Sequence, residues 1–190
     1  MRRFLKIGLI LGVSTALAWL ALARTNTGSD NTALAETHLD ILEDYQSVSH
    51  IKAAKLLGMD PSSYVLFDVR ARAEYDVSHI DGSIWVDPEL SAVDFYEAHK
   101  TTISGKQVVL YCSVGVRSSR LAERLYAFKP EDLTSKVFNL EMGVFGWHNQ
   151  KHPLVKASDH NQISTDYIHP YNHWWGRMIN RADLKKYNAE

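Results

Sequence analysis

The sequence predicts an α/β domain built on parallel strands, and three observations point there. Tyr64-Val-Leu-Phe-Asp-Val69 and Val108-Val-Leu-Tyr111 are apolar runs of strand length, and Lys136-Val-Phe-Asn-Leu140 is a third. Between the last two, Leu121, Leu125 and Phe128 recur at i, i+4 and i+7, which makes Ser118 to Phe128 one face of a helix that Pro130 closes. Strand, helix, strand with strands apolar throughout implies parallel pairing, because a helical crossover carries the chain back to the starting edge and covers the sheet.

The elements follow in order. MRRFLKIGLILGVSTALAWLALART has a basic start and then no charge from Ile7 to Ala23, the pattern of a signal peptide or membrane anchor over residues 1–23. Ala21-Leu22-Ala23 and Ala33-Leu34-Ala35 both offer small-x-small cleavage patterns. With Arg2, Arg3 and Lys6 held on the cytoplasmic side, the body is expected to be exported, periplasmic or otherwise extracytoplasmic, touching the membrane only through residues 7–23. Residues 24–45, rich in Thr, Asn, Asp and Glu, read as a flexible spacer. Ser49 is expected to cap a helix through Ile51, Ala54 and Leu57 that ends at Gly58 and Pro61. The globular domain then spans 46–156, and residues 157–190 form an extension.

Composition narrows the function. At 190 residues, with 45% hydrophobic and 23% charged, the chain fits one ordinary globular domain and not a disordered one. Beyond residue 23 the 21 basic residues fall to 18, against 22 acidic, so no basic field remains to attract nucleic acid. A single cysteine excludes an intramolecular disulfide and any Cys-based zinc cage.

That cysteine lies in VVLYCSVGVRSS, immediately after an apolar strand and before a helix. Ligands of open α/β sheets bind beyond the carboxyl ends of the strands, so Cys112 stands where a site is expected. The amides of Ser113, Val114, Gly115, Val116, Arg117 and Ser118 can converge on its sulfur at a positive helix end, which stabilises a thiolate. Gly115 lets the loop curl, Ser118 or Ser119 can cap the helix, and Arg117 adds a fixed charge.

YCSVGVRSS resembles the active-site loop of the rhodanese family of sulfurtransferases. Two more stretches stand in the family's order: Leu66-Phe-Asp-Val-Arg-Ala-Arg-Ala-Glu-Tyr75 continuing to Ser78-His-Ile-Asp-Gly-Ser-Ile84, and Leu140-Glu-Met-Gly-Val-Phe-Gly-Trp147 followed by Pro153-Leu-Val155. Together they cover about residues 47–156. Ser78, Asp81, Ser83 and Met142 depart from the Gly, Pro, Ala and Gly usual at those places. The resemblance implies a five-stranded parallel sheet with helices on both faces, and no cofactor. It also implies that Cys112 takes a sulfane sulfur from a thiosulfate-like donor, drawn in by Arg117, and passes the persulfide sulfur to a thiophilic acceptor such as a thiol, cyanide or a protein. Four residues separate Cys112 and Arg117, the sulfurtransferase spacing. The phosphatases and arsenate reductases of the same fold carry one more, and remain the alternative, beside a low-turnover binding or sensing module. Asp68, Arg70 and Glu74 read first as an ion-pair network bracing the site edge and second as substrate contacts; His79 reads as a turn residue.

The tail holds His160, His169 and His173, with His148 and His152 nearby, but Pro170 prevents His169 and His173 from sharing a helix face, and no metal site is expected. Tyr167, Tyr171, Trp174 and Trp175 are expected to pack the tail onto the domain near the mouth of the site, with a partner-docking patch as the alternative.

Overall fold

The computed structural model describes residues 29–128, 133, 137–157 and 161–189. The expected signal or anchor, residues 1–23, lies outside the described residues. Among the described residues no helix is long and apolar enough to cross a membrane.

In chain order the elements are α1 (Ser29–Asp44), β1 (Ser49–Ile51), α2 (Ala53–Leu57), β2 (Tyr64–Asp68), α3 (Arg72–Val77), β3 (Ile84–Trp85), α4 (Ala92–Ile103), β4 (Gln107–Tyr111), α5 (Val116–Phe128), β5 (Val137–Leu140), α6 (Gly143–Asn149), β6 (Leu154–Ala157) and β7 (Gln162–Thr165). Short 3-10 turns add Pro61–Ser63, Trp175–Met178 and Ala182–Leu184. Five strands form one sheet in the order β1-β5-β4-β2-β3, every pair parallel. The three apolar runs are its three inner strands. β4 lies at the centre, where helices cover both faces, which is why Val108, Val109 and Leu110 are all fully buried.

Alternation along the strands divides the core. Val65, Phe67, Val108 and Leu110 face Phe95 of α4 and Leu121 and Leu125 of α5. Leu66, Val109 and Tyr111 face the other way, onto Leu34 and Ile41 of α1, Val144 and Phe145 of α6, and Ile168, Met178 and Ile179 of the tail.

Two expectations are corrected. The flexible spacer proposed over 24–45 holds α1, whose Leu34 and Ile41 are 1% and 2% exposed. A narrow apolar stripe at i and i+7 on a polar helix is enough to dock it. The helix expected to start at Ser49 is instead β1 followed by α2, because Ile51 pairs with Leu140 at the sheet edge and Lys52 takes the cap position.

The tail is joined to α6 by side-chain hydrogen bonds. Asn149 donates from Nδ2 to the Met178 carbonyl (2.7 Å) and accepts from the Asn180 N–H (2.9 Å). The Ile168 N–H donates to the Leu184 carbonyl and the Lys186 N–H to the Ile168 carbonyl, so the last segment is tied to itself as well as to α6.

Candidate active site

Cys112 follows the last residue of β4, and α5 begins at Val116, so the turn between them is short and Arg117 and Ser118 fall in the first helical turn. Neither Ser118 nor Ser119 takes the capping position expected of it. Ser118 donates its hydroxyl to Asn139 Oδ1 (2.6 Å) and lies 3.1 Å from the Gly115 carbonyl.

The start of α6 shapes the turn. The Val144 N–H donates to the Cys112 carbonyl (2.9 Å) and the Phe145 N–H to the Ser113 carbonyl (3.0 Å). A peptide N–H points opposite to its C=O, so the amides of Ser113 and Val114 face away from α6. That approach needs Gly143, with φ 54°, because a Cβ there would lie 2.3 Å from the Cys112 carbonyl oxygen. Gly115 is required equally: its φ is 117°, and a Cβ would meet Asn139 Nδ2 at 3.0 Å. Met142, where the resemblance leads one to expect glycine, adopts φ 60° at a cost of about 1–2 kcal/mol, offset by packing of its side chain against the core. The departure therefore sits in the cap of the helix that holds the reactive turn, nearer the chemistry than the sequence alone suggests.

The sulfur accepts from the Gly115 N–H at 3.2 Å. Burial alone pushes the thiol up; the Arg117 charge and the donors of Ser118 and Gly115 outweigh it, and Cys112 ends below its ordinary range. The single Ser118 hydroxyl proton is held by Asn139, which leaves the backbone N–H as that residue's donor to the sulfur. Asn139 in turn donates from Nδ2 to His50 Nδ1 (3.2 Å).

Arg117, whose charge acts on the Cys112 sulfur, is held by several partners. Nη1 donates to Glu74 Oε2 (2.7 Å), and Nη2 donates to Glu74 Oε1 and to Ser113 Oγ (both 2.9 Å). The Tyr171 ring lies 5.0 Å from its guanidinium carbon. Ser113 donates its hydroxyl to Glu74 Oε1 (2.8 Å), so that side chain joins the same network. Burial pushes the Glu74 carboxyl up, but the hydrogen bond and charge of Arg117, with Arg70 and Ser113, bring it below its usual value. Of the three supporting residues, Glu74 thus reaches the reactive turn.

Asp68 and Arg70 form a separate pair, fully buried, joined through Nε to both carboxylate oxygens at 3.0 Å and through Nη2 at 2.6 Å. Arg70 also donates to the Ser78 carbonyl, and Trp85 donates from Nε1 to the Arg70 carbonyl. This pair sits at the carboxyl end of β2. His79 stacks on Tyr75 at 3.8 Å and bridges to Val155 through the backbone.

Cys112 is only 1% exposed, yet it opens onto a pocket of about 130 Å³ lined by Ser113, Val114, Val116, Arg117, Tyr171 and Trp175 as well. The tail supplies the far wall. The Tyr171 N–H donates to His169 Nδ1 (2.9 Å), Asn172 Oδ1 accepts from the Trp175 N–H (3.0 Å), and Tyr171 takes φ 62°. Among the described residues no three His, Cys, Asp or Glu side chains gather as metal ligands; His148 contacts the Asp166 carbonyl and Arg181 instead.

Sequence reasoning placed the four tail aromatics near the mouth without telling which two face in, since that depends on the turn at Asn172. It passed over Asn139, whose signal was a lone amide inside an apolar strand. Tyr111 was passed over too. Its hydroxyl accepts from the Ile80 N–H and meets Ser83 Oγ at 2.9 Å beneath the site, and burial pushes its phenol well up, so it stays neutral.

A parallel α/β sheet with a stabilised thiol at the carboxyl end of its central strand defines a class of thiolate-loop domains. Within it, the family described as Rhodanese-like domain matches residues 49–150, more than half of the chain, and the protein belongs to that family. It is 35% identical over 88 residues to a probable adenylyltransferase/sulfurtransferase MoeZ of Mycobacterium tuberculosis, covering 46% of this chain and 21% of that one. It is 34% identical over 77 residues to a tRNA uridine(34) hydroxylase of Bacillus velezensis, covering 40% and 24%. The matches thus span about a quarter or less of these relatives. Among solved structures, a thiosulfate sulfurtransferase from Pseudomonas aeruginosa aligns at TM-score 0.47 and 22% identity, over 59% of this chain and 20% of that one.

Proposed function

We propose that the protein is a sulfurtransferase in which Cys112 accepts a sulfane sulfur as a persulfide and passes it to a thiophilic acceptor. The observation that carries this reading is the buried thiol with the Gly115 N–H on its sulfur and Arg117 four residues farther on than a direct neighbour would be. Membership of the rhodanese family and the sulfurtransferase named among its relatives support it.

The chemistry is a pair of displacements at sulfur. The Cys112 thiolate attacks the sulfane sulfur of the donor; the new S–S bond forms as the donor's own bond breaks, and its electron pair leaves with the departing group. An incoming thiolate or cyanide then attacks the outer persulfide sulfur and returns Cys112 as a thiolate. Donors on Gly115 and Ser118 hold the negative charge at both stages. With no second cysteine in the chain, the acceptor comes from outside, as a small thiol, cyanide or a protein thiol. Export also belongs to this reading, supported by the basic start and charge-free run of residues 1–23.

The test is turnover of the full chain in detergent with a thiosulfonate donor and cyanide, read as thiocyanate. Native protein produces it and Cys112→Ser produces none. If no sulfane donor gives thiocyanate above the variant, the reading is wrong, and Cys112-dependent hydrolysis of an aryl phosphate would assign the site to the phosphatases of the same fold.

A further inference from the structure

We infer that the pocket selects a donor whose sulfane sulfur is carried on a single ring-sized apolar group, over inorganic thiosulfate, and that Tyr171 and Trp175 make the selection. This rests on the sulfurtransferase reading and names its donor class.

Charge gives the first argument. Arg117 is the one cation among the described pocket-lining residues, and Glu74 takes both of its terminal nitrogens. Arg70, farther back, is spent on Asp68. With Cys112 as thiolate, the mouth carries two negative charges, from the sulfur and Glu74, against the one on Arg117. A dianion entering there meets more net repulsion than a monoanion does. A donor with one charge and an apolar body therefore enters at the smaller electrostatic cost.

Shape gives the second. Val114, Val116, Tyr171 and Trp175 supply the rest of the lining. The volume, about 130 Å³, is close to the roughly 150 Å³ of an apolar cavity known to admit benzene. The aromatic wall is held in place. The His169 ring accepts from the backbone of Tyr171, Asn172 Oδ1 accepts from the N–H of Trp175, and Asn149 holds that turn's far end at Met178. It also lies beyond residue 150, where the family match ends, so this wall belongs to the chain's own extension.

The loading step balances for the probe anion benzenethiosulfonate. The Cys112 thiolate bonds to the terminal sulfur, the bond between that sulfur and the sulfonyl sulfur breaks, and benzenesulfinate leaves with the pair. Two negative charges stand on each side, and neither proton nor outside electron is needed.

The experiment measures second-order loading of the full chain, as one sulfur added in intact mass, from benzenethiosulfonate, methanethiosulfonate and thiosulfate. The two thiosulfonates share charge and reacting atoms and differ in the ring. The ring donor is expected to load at least about tenfold faster than the methyl donor, the scale of apolar discrimination in a fitted pocket. Thiosulfate is expected to be slowest. Trp175→Ala and Tyr171→Ala bring the ring-to-methyl ratio toward one, while Trp175→Phe keeps it well above one. A ratio near one in the native protein, or thiosulfate loading as fast as the ring donor, overturns the inference and leaves the sulfurtransferase reading standing. Failure of all three donors to load removes both.

Discussion

The pocket has two walls of unlike origin. The Cys112 to Arg117 wall lies within the family match and works mainly through backbone and charge: amides on a sulfur, carbonyls pinned by α6, a guanidinium held by Glu74. The Tyr171 and Trp175 wall lies outside the match and presents rings set by a separately anchored turn. One wall makes the sulfur reactive, and the other decides what reaches it. Reactivity and selection are thus carried by segments about fifty residues apart, so each can be altered while the other is read out.

The largest effect expected from breaking the first wall comes from Gly143→Ala. A Cβ placed 2.3 Å from the Cys112 carbonyl forces the reactive turn or α6 to move, on top of the φ 54° strain. A loss of about 2–4 kcal/mol in denaturant unfolding is expected, together with loss of sulfur loading.

Ile41→Ala asks whether α1 is part of the same body. Ile41 is 2% exposed, and its Cδ1 lies 3.4 Å from where a Gly115 Cβ would stand. Truncation should cost about 2–4 kcal/mol by chemical denaturation, an effect a flexible spacer could not produce.

The smallest effect is the dependence on pH of the Glu74 contribution. The folded carboxyl titrates below its ordinary 4.5, so its stabilising contribution is fully present above that pH and is lost as the pH falls through the lowered value. Stability measured from pH 7 down to 3 should fall less steeply in Glu74→Gln than in the native chain, which sharpens the contrast between a charged wall and an aromatic one.

How legible each wall was follows from chain distance. Cys112, Gly115 and Arg117 lie within one hexapeptide, between a strand and a helix that apolar periodicity reveals. The partner of Arg117 was visible only as a carboxylate at Glu74, because a pairing across 43 residues depends on how α3 meets the carboxyl end of β4. α1 was hidden by composition: its polar residues outweigh the stripe of Leu34 and Ile41, whereas Leu39 and Leu42 remain exposed. β1 has three residues, too few to show a period, and its identity comes from pairing with β5. For the second wall, the aromatic cluster could be read but its orientation could not, since it turns on the Tyr171 backbone at φ 62° and the Asn172 side chain's bond to the Trp175 N–H.

The central claim, that Cys112 carries sulfur, is tested most directly by peptide mass mapping after one exposure of the full chain to benzenethiosulfonate. A single added sulfur is expected on the peptide containing Cys112, removed by cyanide. An unmodified Cys112 peptide, or added sulfur that cyanide leaves in place, would contradict it.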